Sequence, residues 1–238
     1  GIGHLLDQYT DGTTGFLKDI CPFTTMGLFN RGLTEAKRIA IARELGRFLG
    51  VEEPAPDTFD GIPLLNPQNS WFFPFEKDRK PDQIDALWNV FAAAIKLADS
   101  DTDEARDEFV KAFDHANGRP NVAWNLTFGL YWIRPWTFLS LDSNSRAYVT
   151  KKLGVSLGLH GPKKRCNASD YLAAMDVLVT RFQEASYPVH SYPELSLEAW
   201  HYQEPASEAT ASDTHDNDAT ADDNSEDVTQ EAPQSAIP

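Results

Sequence analysis

Cysteine is nearly missing: Cys21 and Cys166 are the only two in 238 residues, far apart and without a second pair. That excludes a disulfide framework and a cysteine-based zinc site and leaves two free thiols. The six histidines are scattered with no ligand-spaced partner, so no metal site is expected. No apolar run approaches the ~20 residues a membrane span needs, and no charged-then-apolar signal segment opens the chain. A Gly-x-x-x-x-Gly-Lys-Ser/Thr phosphate loop and a His-Glu-x-x-His pair are also missing, so these residues contain neither a phosphate-loop nucleotide hydrolase nor a zincin. No catalytic constellation and no cofactor of its own are expected. With Gly rather than Met at position 1, the chain reads as a soluble, cytoplasmic fragment of a longer protein.

Positive charge is scarce, and its distribution matters more than its total. The formal net charge is −15, yet residues 203–238 hold ten acids and no Lys or Arg, leaving 26 acids against 21 bases in the rest. The acidic overall balance therefore does not bar residues 1–202 from a polyanion. Residues 203–238 are almost wholly Ala, Ser, Thr, Asp, Glu, Asn, Gln and Pro. Such a composition buries too little apolar area to offset the entropy of ordering, so a disordered acidic linker is expected there.

What remains is 41% hydrophobic over the whole chain, with 14 Phe, 7 Tyr and 6 Trp, enough for a core. The fold class expected is mainly α, a multi-helix domain over 1–202 with an irregular or extended excursion at about 51–80. Its centre is the stretch 124–148. Apolar residues lie on nearly every side of a helical wheel from Val122 to Ile133, which predicts a helix buried all round. Pro135 ends it. Trp136, Phe138 and Leu141 are expected to return to the core, and Asp142 or Ser143 to cap a second helix ending near Gly154.

Elsewhere, residues 2–9 suggest a helix end, and 22–32 an ordered, aromatic-pinned loop. Thr34 is a plausible cap for a helix to Leu49, with Ala36, Ile39, Ala40, Leu45, Phe48 and Leu49 at helical spacing. Residues 61–65 and 70–73 suggest two extended segments or a small hairpin. From Asp82, the stripe Ile84, Leu87, Trp88, Phe91, Ala92, Ile95 and Ala98 predicts an amphipathic helix, followed by another over about 102–115. Asn167 or Ser169 caps a last helix with Tyr171, Leu172, Met175, Leu178, Val179 and Phe182 inward. Residues 188–200 suggest an irregular closing segment.

The phrase Trp124-Asn-Leu-Thr-x-Gly-Leu-Tyr-Trp-Ile-Arg-Pro135, followed by Leu141-Asp-x-x-Ser-Arg-x-Tyr148, resembles the N-terminal region of McrB-type AAA+ proteins. These are the NTP-driven subunits of modified-cytosine-dependent restriction systems. Pro22-Phe-Thr-x-Met-Gly-x-Phe-Asn-Arg-Gly32, Phe59-Asp-Gly-Ile-Pro63 and Ser70-Trp-Phe-Phe73 extend the likeness across roughly 1–200. The resemblance implies a DNA-recognising module for defence against foreign DNA, acting on duplexes with a modified base. A nucleoside triphosphate and magnesium would belong to a motor outside these residues, and a nuclease subunit and an AAA+ oligomer would be partners through the parent protein. More distantly, the helix, proline turn and Asp-initiated helix resemble the core of DNA-glycosylase-like folds.

Base recognition needs cations for phosphates and aromatic or amide groups for bases. The candidate phosphate contacts are Lys37, Arg38, Arg43 and Arg47 on one helix, and Lys163, Lys164 and Arg165 in a Gly-rich loop. The candidate base pocket is Asn30, Asn69, Trp71 and Phe72. Each set also has an ordinary explanation, a solvated charged face or a turn over a core. Asp142 is the one weak catalytic candidate: in a glycosylase-like reaction a carboxylate would stabilise a developing sugar cation, although capping a helix accounts for it fully. Three readings follow: a DNA-recognition module, a helical docking module of the same assembly, or a glycosylase-like enzyme acting on DNA bases.

Overall fold

The chain opens on a hairpin. β1 (Leu6–Gln8) pairs antiparallel with β2 (Thr14–Phe16), Leu6 opposite Phe16, in a computed structural model that describes residues 5–65 and 70–202. The expected helix end is therefore a strand. Asp11 Oδ1 accepts both the N–H and the hydroxyl of Thr13, and Gly12 takes φ 83°, which turns the chain back on itself. Asp7 is buried and anchors the hairpin, accepting from Arg79 Nη2 at 2.6 Å and from the Glu76 N–H at 2.8 Å.

Residues 22–29, expected as a loop, form helix α1 (Pro22–Phe29). Pro22 suits the first turn, where its missing N–H is not needed, and Cys21 Sγ caps the Thr24 N–H. Gly27 suggested a turn for a different reason than the one that operates. A Cβ there would lie 2.8 Å from the Ser70 carbonyl oxygen, so glycine allows the 70–73 segment to cross the helix. Arg31 bridges to Leu65 rather than 61–65 pairing with 70–73.

Thr34 caps α2 (Glu35–Leu49), and Gly50 ends it in the left-handed conformation at φ 70°. After a helical turn at Glu76–Asp78, α3 (Gln83–Ser100) and α4 (Asp103–Asn117) form a tightly joined pair. The buried face of α3 is Ile84, Ala86, Leu87, Val90, Ala93, Ala94 and Leu97, rotated from the expected stripe, and Trp88 and Ala92 face outward. α5 (Asn125–Ile133) is the expected central helix, with Leu126 and Leu130 fully buried and contacts to both α1 and α3. Positive φ at Asn121 and Ala123 delays its start.

Beyond Pro135, Phe138 and Leu141 enter the core, but Trp136 is 74% exposed. The N–H groups of Thr137 and Phe138 both bond the Arg134 carbonyl, closing a turn that holds Trp136 at its outer tip. Asp142 caps α6 (Ser143–Ala147), which continues as a wider π turn over Tyr148–Lys152. α7 (Ala168–Arg181) starts in a capping box of Asn167 and Asp170, with Val179 outside rather than inside. The expected irregular closing segment is instead helix α8 (Tyr192–His201), capped by Ser191 with Pro193 in its first turn. Stacked ring pairs, Phe109 on Phe138 and Phe113 on Tyr171, tie α4 to this second half. The expected linker at 203–238 lies outside the described residues.

Candidate functional site

Of the four cations on α2, three share an exposed face. At 100° per residue Lys37, Arg43 and Arg47 fall within an arc of about 120°, and all three are exposed. Arg47 forms an exposed ion pair with Glu44 at 2.9 Å. Such a pair is held loosely in water and can be exchanged for a stronger anion. Arg38 is different. It is the single buried residue of α2 and 7% exposed, its guanidinium lying 5.1 Å over the Phe59 ring and donating to the Leu33 carbonyl. Its Nε and Nη1 are buried without a partner. Arg38 therefore seats the helix on the body and is not a surface phosphate contact.

The second cluster is presented by an unusual turn. Lys163 and Lys164 both have positive φ, 52° and 57°, which non-glycine residues rarely adopt. Gly161 starts the turn because a Cβ would meet the Cys166 carbonyl oxygen at 2.7 Å, and its N–H bonds the Arg165 carbonyl. Lys163 and Lys164 are exposed, whereas Arg165 is half-buried and donates to the Asn117 carbonyl at the end of α4. A cation at the carbonyl end of a helix is a structural position, so Arg165 leaves the set of surface contacts. The loop is strapped to α7 by Asp170, which accepts from the His160 N–H and lies 2.7 Å from His160 Nδ1. Burial raises the Asp170 carboxyl, but the hydrogen bonds from His160 and Asn167 outweigh it and hold its pKa below the usual value. The two basic clusters thus stand on different supports: α2 on Phe59, the lysine turn on α4 and α7.

Among the described residues, the expected base-pocket side chains Phe72 and Asn30 are buried rather than open to the surface. Phe72 is fully buried between Phe23 and Trp132, and its N–H bonds Thr24 Oγ1 at 3.0 Å. Trp71 is half-buried with its ring edge-on to Phe73. Asn30 is 6% exposed and its carbonyl accepts the Leu65 N–H. Asn69 lies outside the described residues. The aromatic run is core, and adjacency of polar and aromatic letters had suggested a surface that packing removes.

Asp142 is committed as a cap. Its Oδ1 accepts the Ser145 N–H at 3.0 Å, and Oδ2 accepts the hydroxyls of Ser145 and Ser140 at 2.6 and 3.2 Å. Sequence reasoning passed over one motif, Gly154-Val-Ser156-Leu-Gly158, which spells the Gly-x-Ser-x-Gly of a nucleophile elbow. An elbow needs a strand before the serine and a helix after it; here the pentapeptide leaves a π turn and continues as an irregular loop. Among the described residues His160 pairs with Asp170, and no hydrogen bond joins it to Ser156.

Both thiols are buried and pushed up by that burial, Cys21 to about 11 and Cys166 to about 12, which makes them unreactive. No cluster of three metal-ligating side chains occurs among the described residues. An open cleft of about 400 Å³ lies between the hairpin and α3, where Asp19, Glu76 and Asp85 balance Lys77, Arg79 and Lys80. That balance gives it no preference for a polyanion. No described helix is long and apolar enough to cross a membrane. A family model described as a domain of unknown function (DUF8425) matches residues 2–202. No curated protein and no solved structure matches the chain.

Proposed function

The chain belongs to the DUF8425 family, a domain of unknown function, through residues 2–202, and from its own residues we propose that it is the DNA-recognising module of an McrB-like AAA+ restriction protein. The observation that carries this reading is the open face of α2, where Lys37, Arg43 and Arg47 stand clear of the body. A basic helix face supplies the sequence-independent, salt-dependent part of DNA affinity. Lys163 and Lys164, held outward by their turn, add a second phosphate contact. The likeness of the 22–32, 59–63, 70–73 and 124–148 blocks to McrB-type N-terminal regions adds the context: a motor using a nucleoside triphosphate and magnesium, a nuclease partner and a cytoplasmic, anti-phage role. With Phe72 and Asn30 in the core, base discrimination would come from other residues or from duplex shape.

The test is fluorescence anisotropy of the chain against unmodified and cytosine-modified duplexes over a salt series. Salt-sensitive binding is expected, with the slope of log K against log salt reduced by about 2 when Arg43 and Arg47 are both reversed to Glu. Absence of binding at low salt refutes the reading. A docking module of the same assembly is the second reading, favoured by a separate observation on the same helix, its uncovered apolar stripe.

A further inference from the structure

Helix α2 leaves an apolar surface in water. Ile41, Leu45, Phe48 and Leu49 are 39%, 48%, 85% and 68% exposed, and Val51, just beyond the helix, is 50% exposed. Their spacing sets the four helical residues on one arc, centred about 145–175° away from Arg47 and Arg43. Together they make a contiguous patch of several hundred Å², the size at which exposed apolar surface marks an interface. The helix itself is well formed, with a Thr34 cap and a Gly50 stop, so the patch is not a frayed end. We propose that this face binds a second copy of the chain, two α2 helices packing antiparallel about a two-fold axis at Leu45. This does not rest on the DNA reading, because Arg43 and Arg47 stay on the outer face of each helix.

The residues select this occupant over others. DNA offers charge, not apolar surface, and Arg43 and Arg47 point away from the stripe, leaving Lys37 alone beside its Phe48 edge while Arg38 is sealed over Phe59. An anionic lipid surface attracts helices whose cations flank the apolar face; here Glu52 and Glu53, both exposed, follow directly on the Phe48–Leu49 end. The acidic segment 203–238 has only Val228 and Ile237 as larger aliphatic side chains and lacks aromatic residues, too little to cover the patch.

A second copy matches in shape and charge. Ile41, Leu45 and Leu49 form an i, i+4, i+8 ridge, the kind that interdigitates with its own copy. Antiparallel pairing at Leu45 sets Ile41 against the other copy's Leu49 and brings Phe48 beside the other copy's Ile41. The same direction places the acidic Glu52–Glu53 end of one helix toward the Lys37 end of the other and opposes the two helix dipoles. Two such helix faces bury on the order of 1,000 Å² in total, near the lower bound for a specific interface, so the dimer is dissociable.

Sedimentation velocity of the full chain from about 1 to 500 µM, a range bracketing a micromolar Kd, should show a monomer–dimer equilibrium. Phe48→Asp should weaken it at least about a hundredfold, as for the loss of a central aromatic anchor, with an unchanged far-ultraviolet circular dichroism spectrum. Leu45→Cys should give a disulfide-linked dimer on mild oxidation. Ile41→Cys and Leu49→Cys should each cross-link poorly alone and well when mixed, and the native Cys21 and Cys166, both buried, should stay out of the reaction. A chain that is monomeric throughout, including one that captures only a different protein, overturns the proposal. So does a dimer indifferent to Phe48→Asp, or one cross-linked by Ile41→Cys alone as well as by Leu45→Cys.

Discussion

Replacing Gly129 by alanine sets two known effects against each other with opposite signs. Gly129 lies inside α5, where alanine is favoured over glycine by about 1 kcal/mol from backbone entropy alone. A Cβ at 129 would, however, fall onto the ring of Phe23, which is fully buried and packed against Phe72 and Phe91. The ring has nowhere to retreat, since Phe72 in turn lies against Trp132. Overpacking of this depth costs about 3 kcal/mol. The net expectation for Gly129→Ala is a loss of about 2 kcal/mol, and a fall in Tm of about 4–8 °C for a domain of this size. Urea unfolding followed by tryptophan fluorescence would read it as a lower midpoint at unchanged slope. Adding Phe23→Leu should recover part of the loss, giving a coupling free energy above about 0.5 kcal/mol in the double-mutant cycle. A Gly129→Ala protein more stable than the parent would refute the reasoning and show α1 able to shift away from α5.

Removal of the Asp142 carboxylate should act on folding alone. Asp142→Ala should cost about 1–2 kcal/mol as a lost cap, and a duplex incubated with parent and variant should release no base with either; base release by the parent, abolished in the variant, would restore the enzymatic reading. Acid sensitivity should come partly from Asp82 and Asp170, whose pKa values are lowered because hydrogen bonds from His115 and His160 outweigh the effect of burial. Their contributions are complete above the ordinary carboxylate range and disappear as pH falls below about 4. Urea midpoints measured between about pH 6 and pH 3 should fall, and less steeply in Asp170→Asn; an identical slope in the variant would count against the loop strap.

Much of this fold was legible where two independent signals coincided. α7 has both a cap and a stripe in the sequence and begins at the expected cap, Asn167, and α4 lies within two residues of its expected bounds. α5, α6 and the Asp142 cap were legible for the same reason. A stripe alone was less secure. In α3 the large letters suggested Trp88 inside, but its indole N–H reaches the Ile20 carbonyl at 3.2 Å from the rim, and small Ala86, Ala93 and Ala94 take the interior. Gly27 and Pro193 were read as breakers because their letters favour turns, whereas here one admits a crossing chain and the other occupies a first turn. For α2 the periodicity was real but did not say whether the partner of the apolar face lies within the chain. Nor could spacing separate Arg38 from Arg43: one guanidinium is sealed over Phe59, the other is in water. Charge and aromatic content name the chemistry available to a site, and only packing decides which of those groups reach the surface.

The contact between Tyr202 and Tyr148 has a mechanical consequence. Their rings meet edge to face at 5.4 Å, and the Tyr202 N–H bonds the Ala199 carbonyl. α8 is itself held by buried Tyr192, Leu195 and Ala199 and by Ser196, whose hydroxyl donates to the Gly61 carbonyl at 2.6 Å. Tension applied along the chain beyond residue 202 therefore does not first meet a loose surface helix that could unravel turn by turn. It enters through an aromatic clasp on the helix that Asp142 starts, and passes from there to the core. Whatever pulls on that end pulls on the whole domain.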